Sequence, residues 1–315
     1  MRIVFIGSPE FSVRPLERLV RDGHRVVAVY TRADRPAGRG RGLSITPVKR
    51  TALEAGLPVV QPEAFKSGEI EHLASLEPEV ILVAAYGKML PRAVLEISRY
   101  GCVNLHPSLL PRYRGASPVA SAILAGDEFT GVSVMLLDEG MDTGPILMQA
   151  RIPVASIDTT GSLTEKLSRL AAQLTLSLMP RLQTGEIFSR PQDESKASYC
   201  QPVRKTDGEI DWKMPSVDIW RRVRAFYPWP VCHTRWQGKQ LRIIEAVPLS
   251  AHNCVAGKVE AIEPSGETGG AAFYIGTGDG ALAVIRVQME GKRVMSSGDF
   301  LKGQPGLAGA QLTVS

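Results

Sequence analysis

Residues 101–118 read Gly-Cys-Val-Asn-Leu-His-Pro-Ser-Leu-Leu-Pro-Arg-Tyr-Arg-Gly-Ala-Ser-Pro, an apolar run that carries Asn104 and His106 and then breaks at Pro107 and Pro111. On a strand, a spacing of two turns both side chains to the same face. The amide and the imidazole would then stand where a buried strand opens into a loop, the usual place for chemistry in an open α/β sheet. A second segment, 130–138, also reads as a strand and runs into Glu139-Gly140-Met141-Asp142-Thr143-Gly144. Asp142 is the carboxylate partner it offers to His106. Taken singly, His106 could be a structural histidine and Asp142 a turn former. Together with Ser108-Leu109-Leu110-Pro111 they make a constellation.

Working outward, the first half of the chain alternates strand-like stretches (3–6, 25–30, 80–85, 103–106) with helix-like ones (9–22, 48–55, 69–76, 90–97, 118–124). That alternation predicts an α/β fold with a mainly parallel, Rossmann-like sheet covered by helices. Gly7-Ser8-Pro9-Glu10-Phe11 follows the first strand, where a dinucleotide-binding protein would carry G-x-G-x-x-G, so a nicotinamide cofactor is not expected. Residues 162–182 have the period of a long helix, with Leu163, Leu167, Leu170, Leu174 and Leu178 on one side. The polar stretch that follows suits a connector. The expected organisation is a catalytic domain over 1–184, a linker over 185–206 and a second domain over 207–315. In that second domain, 215–227 reads as a helix, and short strands at 232–236, 241–246, 257–262, 271–276 and 281–288 favour a small barrel.

A chain of 315 residues exceeds the ~250 to 300 residues at which a single core stops growing, which again favours two domains. With 44% hydrophobic and 22% charged residues the composition is that of a globular protein. No apolar stretch approaches the ~18 residues that would suggest a membrane span. Met1-Arg2-Ile3-Val4 begins directly as a strand, without an apolar leader, so a cytoplasmic location is expected. The four cysteines, Cys102, Cys200, Cys232 and Cys254, form no C-x-x-C pair, and no H-E-x-x-H occurs. Neither a zinc site nor a disulfide framework is expected, and catalysis would proceed without metal. A net charge of +5 is a modest excess that admits an anionic partner. Nothing demands more than a monomer.

Asn104, His106, Ser108, Leu109, Leu110, Pro111 and Asp142 resemble the Asn-x-His-x-Ser-Leu-Leu-Pro segment and later Asp loop of the folate-dependent formyltransferases. Asp34-Arg35-Pro36-Ala37-Gly38-Arg39-Gly40 and Arg224-Ala225-Phe226-Tyr227-Pro228-Trp229-Pro230 are similar to motifs of the branch whose acceptor is methionyl initiator tRNA. The similarity runs in order from about residue 2 to about residue 303. It implies 10-formyltetrahydrofolate as co-substrate, an OB-like C-terminal domain that helps hold tRNA, and Asn104, His106 and Asp142 as catalytic residues. It further implies that Ser108, Leu109, Leu110 and Pro111 line the folate site.

The expected chemistry has three tasks: remove a proton from the attacking amine, stabilise a tetrahedral oxyanion, and protonate the departing folate nitrogen. Asn104 would donate to the oxyanion, His106 would move protons, and Asp142 would orient the imidazole. The basic stretch Arg32, Arg35, Arg39, Arg41, Lys49 and Arg50, interspersed with glycines, follows the second strand on the rim that carries the site. It is assigned to the tRNA acceptor, with Arg39 and Arg41 as the named contacts. All four tryptophans fall between Trp212 and Trp236 and are assigned to packing, while Arg221, Arg222 and Arg224 stay open. Phe11 is a candidate wall for a methionine side chain. One departure from the family pattern is Val231-Cys232, where Gly-Ala is common. An enzyme of the same superfamily with a nucleotide-sugar or glycinamide ribonucleotide acceptor would share the three site residues, but has little use for the basic loop. A noncatalytic RNA-binding protein would not need them.

Overall fold

Four parallel strands, Arg2–Gly7, Arg25–Tyr30, Val80–Ala84 and Cys102–His106, form the middle of the main sheet. Ile3, Val4, Phe5, Ile6 and every residue of Val80–Ala84 are buried, which is why these strands read as unbroken apolar runs. The computed structural model describes residues 1–37, 42–250 and 254–313. Among them the sheet has seven strands, extended on one side by Val59–Val60 and on the other by Phe129–Leu136 and Ile146–Pro153. These last two run antiparallel to their neighbours, and the rest are parallel. The mainly parallel α/β sheet predicted from the sequence is therefore present.

The local differences have simple causes. The helix expected over 90–97 is only Arg92–Leu95, because Pro91 opens it and a turn closed by Ser98 Oγ donating to Gly101 O ends it. The stretch 9–22 splits into a 3-10 turn, Glu10–Ser12, and a helix, Val13–Arg21. Gly7 lets that turn pack close, since a Cβ there would stand 2.9 Å from Ser12 Cβ. The edge strand Ile146–Pro153 had no counterpart in the sequence reading. Being only half-buried, it carries Gln149 and Arg151 and lacks the apolar run of its neighbours. The long helix is Thr160–Thr184, with Leu163, Leu167, Leu174 and Leu178 buried and Ser168 Oγ donating to Phe11 O at 2.8 Å.

Two compact units emerge from the packing: Met1–Val119, Glu128–Val154 and Ser162–Gln201 in one, Ala120–Asp127, Ala155–Gly161 and Pro202–Ser315 in the other. The second unit contains the six-stranded antiparallel sheet of the OB-like domain, with Lys239–Leu249 and Ala281–Met289 at its middle and the helix Ser216–Ala225 packed on it. Trp212 and Trp236 are buried in it, Trp212 donating to Thr234 Oγ1 and Trp236 meeting Phe300 edge-on. Trp229 departs from the assignment of all four tryptophans to packing. It is 58% exposed, because it lies between Pro228 and Pro230 beyond the end of the helix. Arg224 is buried under the Trp220 ring, its Nη1 donating to the carbonyls of Ala155 and Asp158, and burial pushes its pKa down. That side chain is part of the packing. Among the described residues no helix is long and apolar enough to cross a membrane.

Candidate active site

Asn104 and His106 stand on the last residues of Cys102–His106, opposite Met135 and Ser133 of the neighbouring antiparallel strand. Both are nearly buried, at 8% and 4% exposure. A Val or Ile fully removed from water contributes roughly 1.5–3 kcal/mol, so the surrounding apolar strands can carry two polar side chains at their end. Among the described residues nothing takes up the Asn104 carboxamide by a hydrogen bond. The carboxamide is not among the polar groups sealed from solvent without a partner, so it stands open to water or to a ligand.

The imidazole of His106 is held from two sides. Its Nε2 donates to Tyr113 O at 2.9 Å, and its Nδ1 faces Asp142 Oδ2 at 3.6 Å. The second distance exceeds a direct hydrogen bond. Catalytic contacts of this kind commonly tighten only when substrate is present. Asp142 Oδ2 accepts in addition from Gly115 N at 2.8 Å. Two backbones on this side adopt the left-handed region without being glycine, Tyr113 at φ 59 and Asp142 at φ 54. Aspartate tolerates that region, whereas a tyrosine there costs free energy and is held by its surroundings. Gly115 is at φ 106, and a Cβ there would meet Cys200 O at 2.7 Å, so only glycine can place this amide against Asp142.

The loop after His106 is fixed from beneath. Ser133 Oγ donates to Ser108 O, accepts from Leu110 N, and accepts from Gln149 Nε2, which also donates to Leu110 O. Ser108 Oγ donates to Arg112 O, and Leu110 packs with Met135 and Ile146. Of the four residues expected to line a folate site, Ser108 and Leu110 thus have their side chains turned into the loop and core, while Leu109 and Pro111 are half-buried. The backbone is largely taken up as well, Ser108 N donating to His106 O, Leu109 O accepting from Arg112 N and Pro111 O from Ser198 N, so the half-buried Leu109 and Pro111 side chains are what this loop offers a ligand. Cys102 is deep in the core, where burial pushes its thiol up to about 12, so it stays protonated at neutral pH.

Arg39 and Arg41 lie outside the described residues. Of the other cations in that stretch, Lys49 is paired with Asp34 and hydrogen-bonded to Gln61, and Arg32 donates to Gly87 O. The hydrogen bonds from Lys49 and Gln61 hold the Asp34 carboxyl below its usual range. Phe11 is buried in the turn after the first strand. Among the described residues no group of three or more His, Cys, Asp and Glu is arranged to hold a metal ion.

The Formyl transferase family matches residues 1–179, and the family described as Formyl transferase, C-terminal domain matches residues 202–305. The methionyl-tRNA formyltransferase of Dehalococcoides mccartyi is 46% identical over 318 residues, covering 100% of this chain and 99% of its own. The chain belongs to the methionyl-tRNA formyltransferase family. Two solved structures share the fold. HypX from Aquifex aeolicus, in complex with tetrahydrofolic acid, has a TM-score of 0.65 at 18% identity over 96% of this chain, which spans about half (47%) of HypX. An N-formyltransferase from Helicobacter canadensis, in complex with folinic acid and dTDP-3-aminofucose, has a TM-score of 0.66 at 19% identity, covering 90% of this chain and 98% of its own.

Against the methionyl-tRNA formyltransferase family pattern, the departure at Val231 falls on a residue at φ 70, in the region that favours glycine. The turn keeps its closure, with Val231 N donating to Phe226 O at 2.8 Å, and the valine side chain is buried. The roles of the Tyr113 carbonyl, the Gly115 amide, Ser133 and Gln149 were not read from the sequence. The first two are backbone groups, which no residue type reveals. The other two lie on strands where a lone hydroxyl or amide carries no pattern.

Proposed function

We propose that the chain transfers the formyl group of 10-formyltetrahydrofolate to the α-amino group of methionyl initiator tRNA, giving N-formylmethionyl-tRNA. Family membership over the whole length supports the reaction and acceptor. The observation that carries the site assignment is the unpartnered Asn104 carboxamide on the same strand face as His106, itself turned toward Asp142. The amine nitrogen attacks the formyl carbon, the carbonyl oxygen becomes an oxyanion, and the bond from that carbon to the folate nitrogen breaks. One proton leaves the amine and one arrives on the folate nitrogen. An α-amine has a reference pKa of ~7.7–8.0, so a strong base is unnecessary. Asn104 donates to the oxyanion, and His106 relays the proton through Nδ1, the ring atom that lacks a direct hydrogen bond. Asp142 keeps that ring aligned, and the 108–111 loop presents the half-buried Leu109 and Pro111 side chains to the folate.

In the same reading, residues 1–184 carry the chemistry and 207–315 help hold the tRNA, with Arg39 and Arg41 meeting its acceptor end and Phe11 lining the methionine pocket. The protein acts in the cytoplasm as a monomer. The test is single-turnover transfer of labelled formyl to methionyl initiator tRNA, methionyl elongator tRNA and an amino sugar nucleotide. Labelling of the initiator alone supports the reading, and labelling of the sugar alone replaces it. The double variant Arg39→Ala/Arg41→Ala should raise KM for tRNA, leave KM for folate unchanged, and flatten the dependence of tRNA affinity on salt.

A further inference from the structure

Residues 190–200 read as connector in the sequence, yet they are bonded to both catalytic segments. Arg190 and Ile146 exchange backbone hydrogen bonds at 2.8 Å each. Tyr199–Cys200 pairs in parallel with Arg114–Gly115, Ser198 Oγ accepts from Tyr113 N at 2.9 Å, and Ser198 O accepts from Arg114 N at 2.8 Å. The same Tyr113 presents its carbonyl to His106.

At the centre is Gln192. Its Nε2 donates to Asp142 O at 2.8 Å and to Gly144 O at 2.7 Å, clasping the loop on both sides of Thr143. Its Oε1 accepts from Arg114 Nε at 3.1 Å and Nη2 at 2.9 Å. Arg114 is fully buried and is held in turn by both carboxylate oxygens of Glu194 and by the Tyr199 hydroxyl. Hydrogen bonding to Glu194 raises the guanidinium pKa despite its burial, so it remains a donor throughout. A carboxamide whose oxygen faces a permanent cation and whose nitrogen faces two carbonyls has one satisfied orientation. Asp142 depends on such a clasp, since its left-handed backbone decides where its carboxylate points.

We propose that Gln192 is a positioning residue for Asp142, fixing through the backbone of the 142–144 loop the direction of the carboxylate that faces His106. The proposal rests on Asp142 serving the reaction. A displacement of about 1 Å near a reacting centre can cost on the order of 100-fold in rate, so an effect on turnover is expected rather than on binding.

The test measures kcat, both KM values and Tm for Gln192→Met in the full-length enzyme, alone and combined with Asp142→Asn. Gln192→Met should lower kcat about 10- to 100-fold with both KM values within about twofold of wild type. In the Asp142→Asn background it should change kcat by less than about twofold, because the group it aligns is already disabled. An equal loss in both backgrounds, or no loss in kcat, overturns the proposal. If Asp142→Asn alone keeps wild-type kcat, the site assignment itself fails and takes the proposal with it. Should Gln192→Met not fold, Gln192→Glu makes the same comparison, because it keeps an oxygen facing Arg114 and sets a charged acceptor in place of the donor against the two carbonyls.

Discussion

The segments 101–118 and 190–200 meet at one site, yet they were not equally visible in the sequence. The first carries its chemistry in side chains at a strand spacing, so Asn104 and His106 could be placed on one face before any contact was known. The second has no such period. Its contribution consists of Gln192 reaching two carbonyls, Ser198 meeting Tyr113 N and a two-residue strand against Arg114–Gly115. All of these join residues about 50 or more positions apart in the chain, as with the 50 between Asp142 and Gln192. Asn104 and His106 are neighbours in sequence, and the contacts that hold their surroundings in place are not.

The sharpest way to test this contrast is to remove the side chains that the proposed reaction uses. Asn104→Ala should lower single-turnover transfer about 100- to 1,000-fold while Tm and folate affinity stay near wild type. Gly115→Ala comes next. It forces a Cβ at φ 106 against Cys200 O, and should destabilise by about 1–3 kcal/mol in urea unfolding while reducing kcat through loss of the amide on Asp142. Arg114→Met should cost stability more than binding, about 1–3 kcal/mol, because it leaves the Gln192 oxygen without its donors.

The smallest effect belongs to Glu194→Gln. Arg114 holds the Glu194 carboxyl below its usual range, so its contribution is present in full above the ordinary carboxylate value and lost as pH falls through the depressed one. The variant should therefore melt slightly below wild type at neutral pH, with the gap closing as pH drops below about 4. A gap that widens in acid would mean that Glu194 does not anchor the segment.

Much of the fold was legible because periodicity reports burial. The four central strands, the long helix through Leu163 and Leu178, and five of the six strands of the second unit's sheet followed from it, Met295–Ser296 being too short to show a period. Ile146–Pro153 escaped because an edge strand buries too little to show a pattern, and Trp229 departs from the packing assigned to all four tryptophans because it lies between Pro228 and Pro230, beyond the end of the helix. Within the site, the Asn104, His106 and Asp142 side chains could be named. The Tyr113 carbonyl and the Gly115 amide could not, since a backbone group acquires its role only from the φ that the fold imposes.

The most direct measurement is the single-turnover rate of formyl transfer from 10-formyltetrahydrofolate to methionyl initiator tRNA by His106→Ala, beside wild type at saturating substrates. A fall of about 100- to 10,000-fold with intact folding is the predicted result. A rate within tenfold of wild type, at about 1.4 kcal/mol or less of lost barrier stabilisation, would contradict the assignment of proton transfer to this residue.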